Sequence, residues 1–100
     1  MVTTANPSKR TVDDLYEAVL SLRTADEARK FFRDLLTIEE INELSGRWRV
    51  VQMIDAGTPY RTIAEDTGVS TATITRVAHW LKYGQGGYRL ALDRRKRKGT

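Results

Sequence analysis

The chain of 100 residues contains no cysteine and one histidine, and these absences remove whole classes of function. Without cysteine there is no disulfide and no thiolate ligand, and a single histidine does not make a histidine metal site within one chain. No apolar run approaches the roughly 20 residues of a membrane span, and the opening segment lacks the apolar stretch of a secretory signal. We therefore predict a cytoplasmic protein that is not a metalloenzyme.

Positive charge is concentrated in the second half of the chain. Residues 1–46 carry six basic and nine acidic side chains, whereas residues 47–100 carry eleven basic and four acidic ones, so the halves have net charges of −3 and +7. Such an asymmetry is expected of a protein whose basic half meets phosphate groups, and a merely soluble basic protein is the alternative. A chain this short buries a limited core, which oligomerisation often completes.

One helical domain between two polar ends is the predicted organisation. Residues 1–10 show no apolar period and are interpreted as a flexible N-terminal arm, residues 11–92 as a single domain and residues 93–100 as a basic C-terminal tail. The tail is either a solvated end or an arm that adds sequence-blind phosphate contacts, which high salt would remove.

Helix-start patterns, in which a threonine precedes an acidic residue by three positions, occur at Thr11, Thr24 and Thr37. Apolar residues then recur at spacings of three and four, which predicts three helices, the third of them ending at Gly57. The second of these helices carries a stripe with Phe31 and other apolar residues that a lone monomer would cover poorly, so we expect it to pack against a partner chain.

Residues 57–81 predict a helix-turn-helix. Thr58 is a cap-type residue, and Pro59 suits the first helical position because the amide proton it lacks would have had no partner there. Gly68 supplies the positive φ that ends the first helix abruptly, and Ser70 can cap the second.

The second helix of this motif has one apolar side and one side of short polar side chains. Its apolar stripe consists of Ile74, Val77, Ala78 and Leu81. The other side presents Thr71, Ala72, Thr73 and Thr75. Such a helix suits a major groove, because short side chains let the backbone approach and threonine and alanine methyls can meet a thymine methyl group.

The segment from Leu36 to Leu81 resembles the Trp repressor superfamily, with Leu44 to Arg49 and the run Ala72-Thr-Ile-Thr-Arg76 on its pattern. The flanks resemble the compact TrpR-related branch called YerC/YecD. The matching segments there are Leu15-Tyr-Glu-Ala, Phe31-Phe, Arg76-Val and Tyr83-Gly-Gln-Gly-Gly-Tyr88.

This resemblance implies an all-α fold of about six short helices in an intertwined homodimer, with two helix-turn-helix heads that project to successive major grooves. Such a dimer would bind double-stranded DNA at a pseudo-palindromic operator whose half-sites lie about 34 Å apart or a multiple of that distance. In the Trp repressor, water carries much of the base contact, and the resemblance extends that expectation to this chain.

The resemblance also places DNA contacts on particular residues. These are Arg61, Ser70, Thr71, Ala72, Thr73 and Thr75. Arg61 is expected to bind phosphate, Thr73 and Thr75 to reach base edges directly or through water, and Thr71 and Ala72 to make apolar and backbone contacts. The alternative is that the threonines only cover a helix surface and cap the turn.

Arg47 and Arg76 fall where the Trp repressor holds its tryptophan corepressor between two guanidinium groups. This chain departs from the family there: Val77 replaces a glycine and its methyls intrude on the indole space, and Trp80 replaces a small serine. We therefore expect no tryptophan cofactor. The two arginines could hold a smaller anionic effector, or they pair with acidic side chains or touch DNA phosphates, which is the preferred interpretation.

The features of these residues are best explained by a sequence-specific transcription regulator. We expect a dimeric repressor that acts by occupying a promoter at the bacterial nucleoid. The alternative is a sequence-blind nucleic-acid-binding or architectural protein, which would bind all DNA equally with a steep dependence on salt. An enzyme is not expected, because the chain has no metal cluster, thiol, strand-linked phosphate loop or serine-histidine-acid set.

Overall fold

The computed structural model describes the backbone of residues 6–99 and the side chains of residues 6–96. This part of the chain contains six α-helices and no strand, as predicted. They are α1 (Lys9–Leu20), α2 (Ala25–Leu35), α3 (Ile38–Asp55), α4 (Tyr60–Thr67), α5 (Thr71–Tyr83) and α6 (Gly87–Gly99). The chain divides into two compact units, Met1–Ile38 and Glu39–Thr100. Residues 1–5 of the predicted N-terminal arm lie outside the described residues.

The first unit consists of two short helices with little interior. Ser8 caps α1 by accepting a hydrogen bond from the Thr11 amide at 3.1 Å, and Thr24 caps α2 by accepting one from the Glu27 amide at 3.1 Å. Neither helix contains a buried residue. Phe31 and Phe32 are half-buried, and their rings meet edge to face at 5.4 Å. The unit thus leaves much of its apolar surface uncovered by its own residues.

The second unit holds the hydrophobic core of the described residues. It is formed by Val50, Val51 and Met53 of α3, Ile63 of α4, Ile74 and Val77 of α5, and Leu92 of α6. Every helix of this unit contributes at least one side chain, and burial of each aliphatic side chain stabilises the fold by about 1.5–3 kcal/mol. The core therefore fixes α4 and α5 against the long α3.

Two predicted helix starts differ from the structure. The first helix begins at Lys9 rather than Thr11, because Ser8 is the residue that caps it. Pro59 occupies the N-cap position of α4, not its first helical position, and makes no side-chain cap. Thr58 is not the cap, since its amide donates to the Met53 carbonyl at 3.0 Å while Gly57, at φ 81°, donates to Ile54. Thr58 thus belongs to the end of α3.

The C-terminal region is helical where the sequence predicted a basic tail over residues 93–100. Helix α6 begins at Gly87 and continues through the basic run to Gly99. Leu92, in its middle, is fully buried in the core, and arginine and lysine are good helix formers. The buried contact anchors the helix, so the basic segment continues it beyond Leu92.

Candidate nucleic-acid interface

The turn between α4 and α5 is held by hydrogen bonds on both sides of Gly68. Gly68 has φ 75° and its amide donates to the Ala64 carbonyl at 2.9 Å, which ends α4 in the left-handed conformation predicted for this glycine. The Thr67 hydroxyl donates to the Ile63 carbonyl at 2.7 Å and accepts from the Val69 amide at 3.1 Å. Thr67, to which the sequence patterns assigned no role, therefore links the end of α4 to the turn.

Val69 connects this turn to α3. Its side chain packs against the core, and a Cβ atom added at Gly46 would lie 3.5 Å from Val69 Cγ2. A glycine within α3 thus faces a residue of the turn. The contact joins positions that are far apart in sequence, and no local pattern indicates it.

Helix α5 buries one side and exposes the other, as predicted. Ile74 and Val77 are buried, and Leu81 is half-buried against them. Three of the four short residues predicted on the opposite side, Thr71, Ala72 and Thr75, are exposed, and Thr73 is half-buried. The beginning of α5 therefore presents a surface of small side chains.

The N-terminus of α5 is capped as predicted. Ser70, itself exposed, accepts a hydrogen bond from the Thr73 amide at 3.2 Å, and its hydroxyl lies 3.0 Å from Thr73 Oγ1. The first turn of α5 contains no acidic residue. A helix N-terminus without acidic side chains favours an approaching anion through its free amides and its dipole.

Arg61 stands in the first turn of α4, with a side chain that is 91% exposed. Its Nε lies 3.5 Å from Glu65 Oε2, one turn further along the same helix. An ion pair this exposed is worth at most about 1 kcal/mol, so the guanidinium can exchange Glu65 for a phosphate at little cost. The phosphate contact of Arg61 stays a prediction.

Arg47 and Arg76 are both exposed, and neither forms an ion pair with a described carboxylate. We expected these arginines to pair with acidic side chains or to touch DNA phosphates. The pairing with acidic side chains is not observed among the described residues. Val77 is only 3% exposed and belongs to the core, whereas Trp80 is 52% exposed and lies edge-on to His79 at 5.3 Å. Trp80 thus packs outside the core of its own chain.

Asp55, the last residue of α3, joins α3 to α6 through ion pairs that the sequence did not predict. Its carboxylate meets Lys96 Nζ at 2.8 Å and Arg89 Nη1 at 3.1 Å, both on α6. The hydrogen bond from Lys96 lowers the pKa of Asp55, with Arg89 acting in the same direction against a burial that raises it. These partners are more than thirty positions away in sequence, so no helical spacing connects them.

Two further observations concern the described residues alone. No helix among them is long and apolar enough to cross a membrane. No group of three or more histidine, aspartate or glutamate side chains there is arranged to hold a metal ion.

Comparison with known proteins gives matches over nearly the whole chain. The family model described as Trp repressor protein matches residues 10–96. YerC of Bacillus subtilis (strain 168) is 45% identical over 89 residues, which cover 89% of this chain and 86% of YerC.

Solved structures match equally well. A TrpR like protein from Eubacterium eligens ATCC 27750 is 46% identical with a TM-score of 0.83, over 86% of this chain and 89% of that chain. A protein from Staphylococcus aureus is 42% identical with a TM-score of 0.82, over 87% of each chain. The sequence resemblance and the all-helical fold are thereby confirmed.

Proposed function

Because the chain belongs to the Trp repressor family, a family of DNA-binding regulators, we propose that it is a homodimeric transcription repressor that binds a pseudo-palindromic operator at the nucleoid. The observation that carries this proposal is the α4–α5 pair, whose second helix is buried along Ile74 and Val77 and exposes its capped, acid-free N-terminal turn. That surface can enter a major groove without losing a core contact.

Six residues carry the proposed DNA contact. They are Arg61, Ser70, Thr71, Ala72, Thr73 and Thr75. Arg61 and the first amides of α5 bind phosphate and set the position of the protein on the duplex. Thr75, which is exposed, and Thr73, which is half-buried, reach base edges directly or through water.

The dimer is supported by the apolar residues that the single chain leaves exposed. Leu20 is 83% exposed, Tyr83 65% and Tyr16 60%, and neither α1 nor α2 contains a buried residue. Large apolar side chains left exposed in this way are expected at an interface with another protein chain. In a two-fold dimer the same residues of both chains cover each other, and two α5 helices reach half-sites about 34 Å apart or a multiple of that distance.

We further propose that tryptophan does not control binding. The Val77 side chain belongs to the core and cannot move aside without opening a cavity. The exposed guanidinium groups of Arg47 and Arg76 remain available to a small carboxylate or phosphate effector or to the DNA backbone.

The test is selection of bound duplexes from a random DNA pool by the purified full-length protein, at near-physiological salt, with and without tryptophan. We expect enrichment of one two-fold-symmetric site, unchanged by tryptophan. Enrichment that requires tryptophan would contradict the role given to Val77 and Trp80. Equal recovery of all sequences, with binding that salt abolishes, would replace the repressor by a sequence-blind nucleic-acid-binding protein.

A further inference from the structure

Helix α6 is strongly basic, and its positive charges are not among the DNA contacts proposed for the helix-turn-helix. It contains six basic residues and one acidic residue, and five of the basic residues are consecutive, from Arg94 to Lys98. Like charges three and four positions apart on a helix repel one another, and the helix dipole offsets only part of that repulsion in the last turn. A helix loaded in this way is stabilised by a nearby polyanion.

One face of α6 is fixed to the rest of its unit. Leu92 is buried in the core, and Arg89 and Lys96 both bind Asp55. With about 100° of rotation per residue, these three positions share one side of the helix. Arg94 and Arg95 fall outside this side, and both are exposed. The contacts of α6 with the core and with Asp55 thus leave Arg94 and Arg95 facing solvent.

The ion pairs with Asp55 place the basic end of α6 near the residues that lead into α4, the first helix of the helix-turn-helix. Asp55 ends α3, and Arg61, the proposed phosphate ligand of α4, follows six residues later. Six residues span at most about 21 Å, and the turn at Gly57 shortens that distance. A full turn of DNA is about 34 Å long, so a duplex bound at Arg61 is long enough to extend to this end of α6.

We propose that Arg94 and Arg95 form a second DNA contact, which binds the sugar-phosphate backbone of double-stranded DNA beside the half-site and carries no sequence information. This inference rests on the proposed DNA-binding function and deepens it. Exposed arginines bind phosphate oxygens with two parallel hydrogen bonds, and each phosphate they neutralise releases a counterion. The contact therefore adds affinity and salt dependence without selectivity.

The test compares two double variants of the full chain at the same positions, Arg94→Gln with Arg95→Gln and Arg94→Lys with Arg95→Lys. Affinity is measured against salt concentration for the selected operator and for an unrelated duplex. The glutamine variant should lower the magnitude of the log–log salt slope by about 1.8 per protomer, equally for both duplexes. The lysine variant should retain most of the slope because its charge is unchanged.

A matched control removes two charges from the acidic half, with Arg23→Gln and Arg29→Gln, and should leave the slope within about 0.5 of the original. An unchanged slope in the glutamine variant, with the operator still preferred, would overturn this inference and leave the proposed function intact. Loss of operator preference alone would also overturn it, because the contact would then read bases. Equal affinity of the unaltered protein for both duplexes would contradict the proposed function instead.

If the glutamine double variant shows a lower helical content, the salt slope is measured for the single variants Arg94→Gln and Arg95→Gln instead. Each should lower the slope by about 0.9 per protomer. No change in either would overturn the proposal.

Discussion

Thr75 stands on the exposed side of α5, directly after the fully buried Ile74. We predict that Thr75→Glu lowers operator affinity at least about 100-fold, because like charges brought together in an interface cost several kcal/mol. The free energy of unfolding should change by less than about 0.5 kcal/mol, since the position is on the surface. Fluorescence anisotropy with an operator duplex and urea denaturation measure the two effects.

The control for Thr75→Glu is Gln85→Glu, which adds the same charge at an exposed position beyond the other end of α5, roughly 20 Å away. It should change affinity less than about threefold. Equal losses in both variants would mean that overall charge governs binding rather than contact at Thr75. An unfolded Thr75→Glu protein would contradict the assignment of the outward face.

Asp55 links stability to pH through its lowered pKa. Because the folded state binds this proton more weakly than the unfolded chain, the ion pairs stabilise the protein above the ordinary pKa of 3.8, and this stabilisation is lost as the pH falls through the lowered value. Asp55→Asn should reduce the free energy of unfolding by about 1 kcal/mol at pH 7. Its difference from the unaltered protein should shrink below pH 4.

Chemical denaturation across a series of pH values tests the Asp55 prediction. The control is Asp13→Asn, which removes an exposed pair with Lys9 on α1 and should have little effect on stability. A difference between Asp55→Asn and the unaltered protein that stays constant from pH 7 to pH 3 would rule out the ion pairs as its cause.

At the scale of the helix, two glycines should respond to alanine in opposite directions. Gly46 lies inside α3, where an added Cβ would make an ordinary contact with Val69, so Gly46→Ala should stabilise the protein by about 0.5–1 kcal/mol. Gly68 has open space around it but a left-handed backbone, so Gly68→Ala should destabilise the protein by about 1–2 kcal/mol.

Thermal and urea denaturation measure both glycine variants, each of which is the control for the other. Changes of the same sign would contradict the prediction. A destabilising Gly46→Ala in particular would mean that the packing of Val69 against α3 has no room for a methyl group.

Local sequence patterns predicted those helix features that depend on local hydrogen bonds. The caps at Thr24 and Ser70 and the left-handed Gly68 were all expected and are all observed. The start of α4 and the length of α6 were not predicted correctly. Thr58 closes α3 instead of opening α4, and α6 is attached through Leu92 and Asp55, which a local pattern does not show.

For the whole molecule, we predict a dimer of two 11.4 kDa chains in solution. Leu20→Glu should raise the dimer dissociation constant by about 10- to 100-fold, because burial of one leucine side chain stabilises an interface by about 1.5–3 kcal/mol. Operator affinity should fall with it, since one chain reads only one half-site. Sedimentation equilibrium measures the dissociation constant.

Glu17→Gln, at an exposed position on the same helix, is the control for Leu20→Glu and should leave the dimer unchanged. A monomeric unaltered protein at micromolar concentration, or a Leu20→Glu variant that dimerises as tightly as the original, would contradict the proposed interface.

The sequence by itself determined the first five helices in outline, the caps at Thr24 and Ser70, the helix-turn-helix and the uneven distribution of charge, because these depend on neighbours within about four residues or on composition alone. The tertiary structure decided which apolar residues fill the core of the chain and which stay exposed. It also decided that the basic C-terminal segment is a helix held by Asp55. These features depend on contacts between distant residues, which arise only when the helices pack.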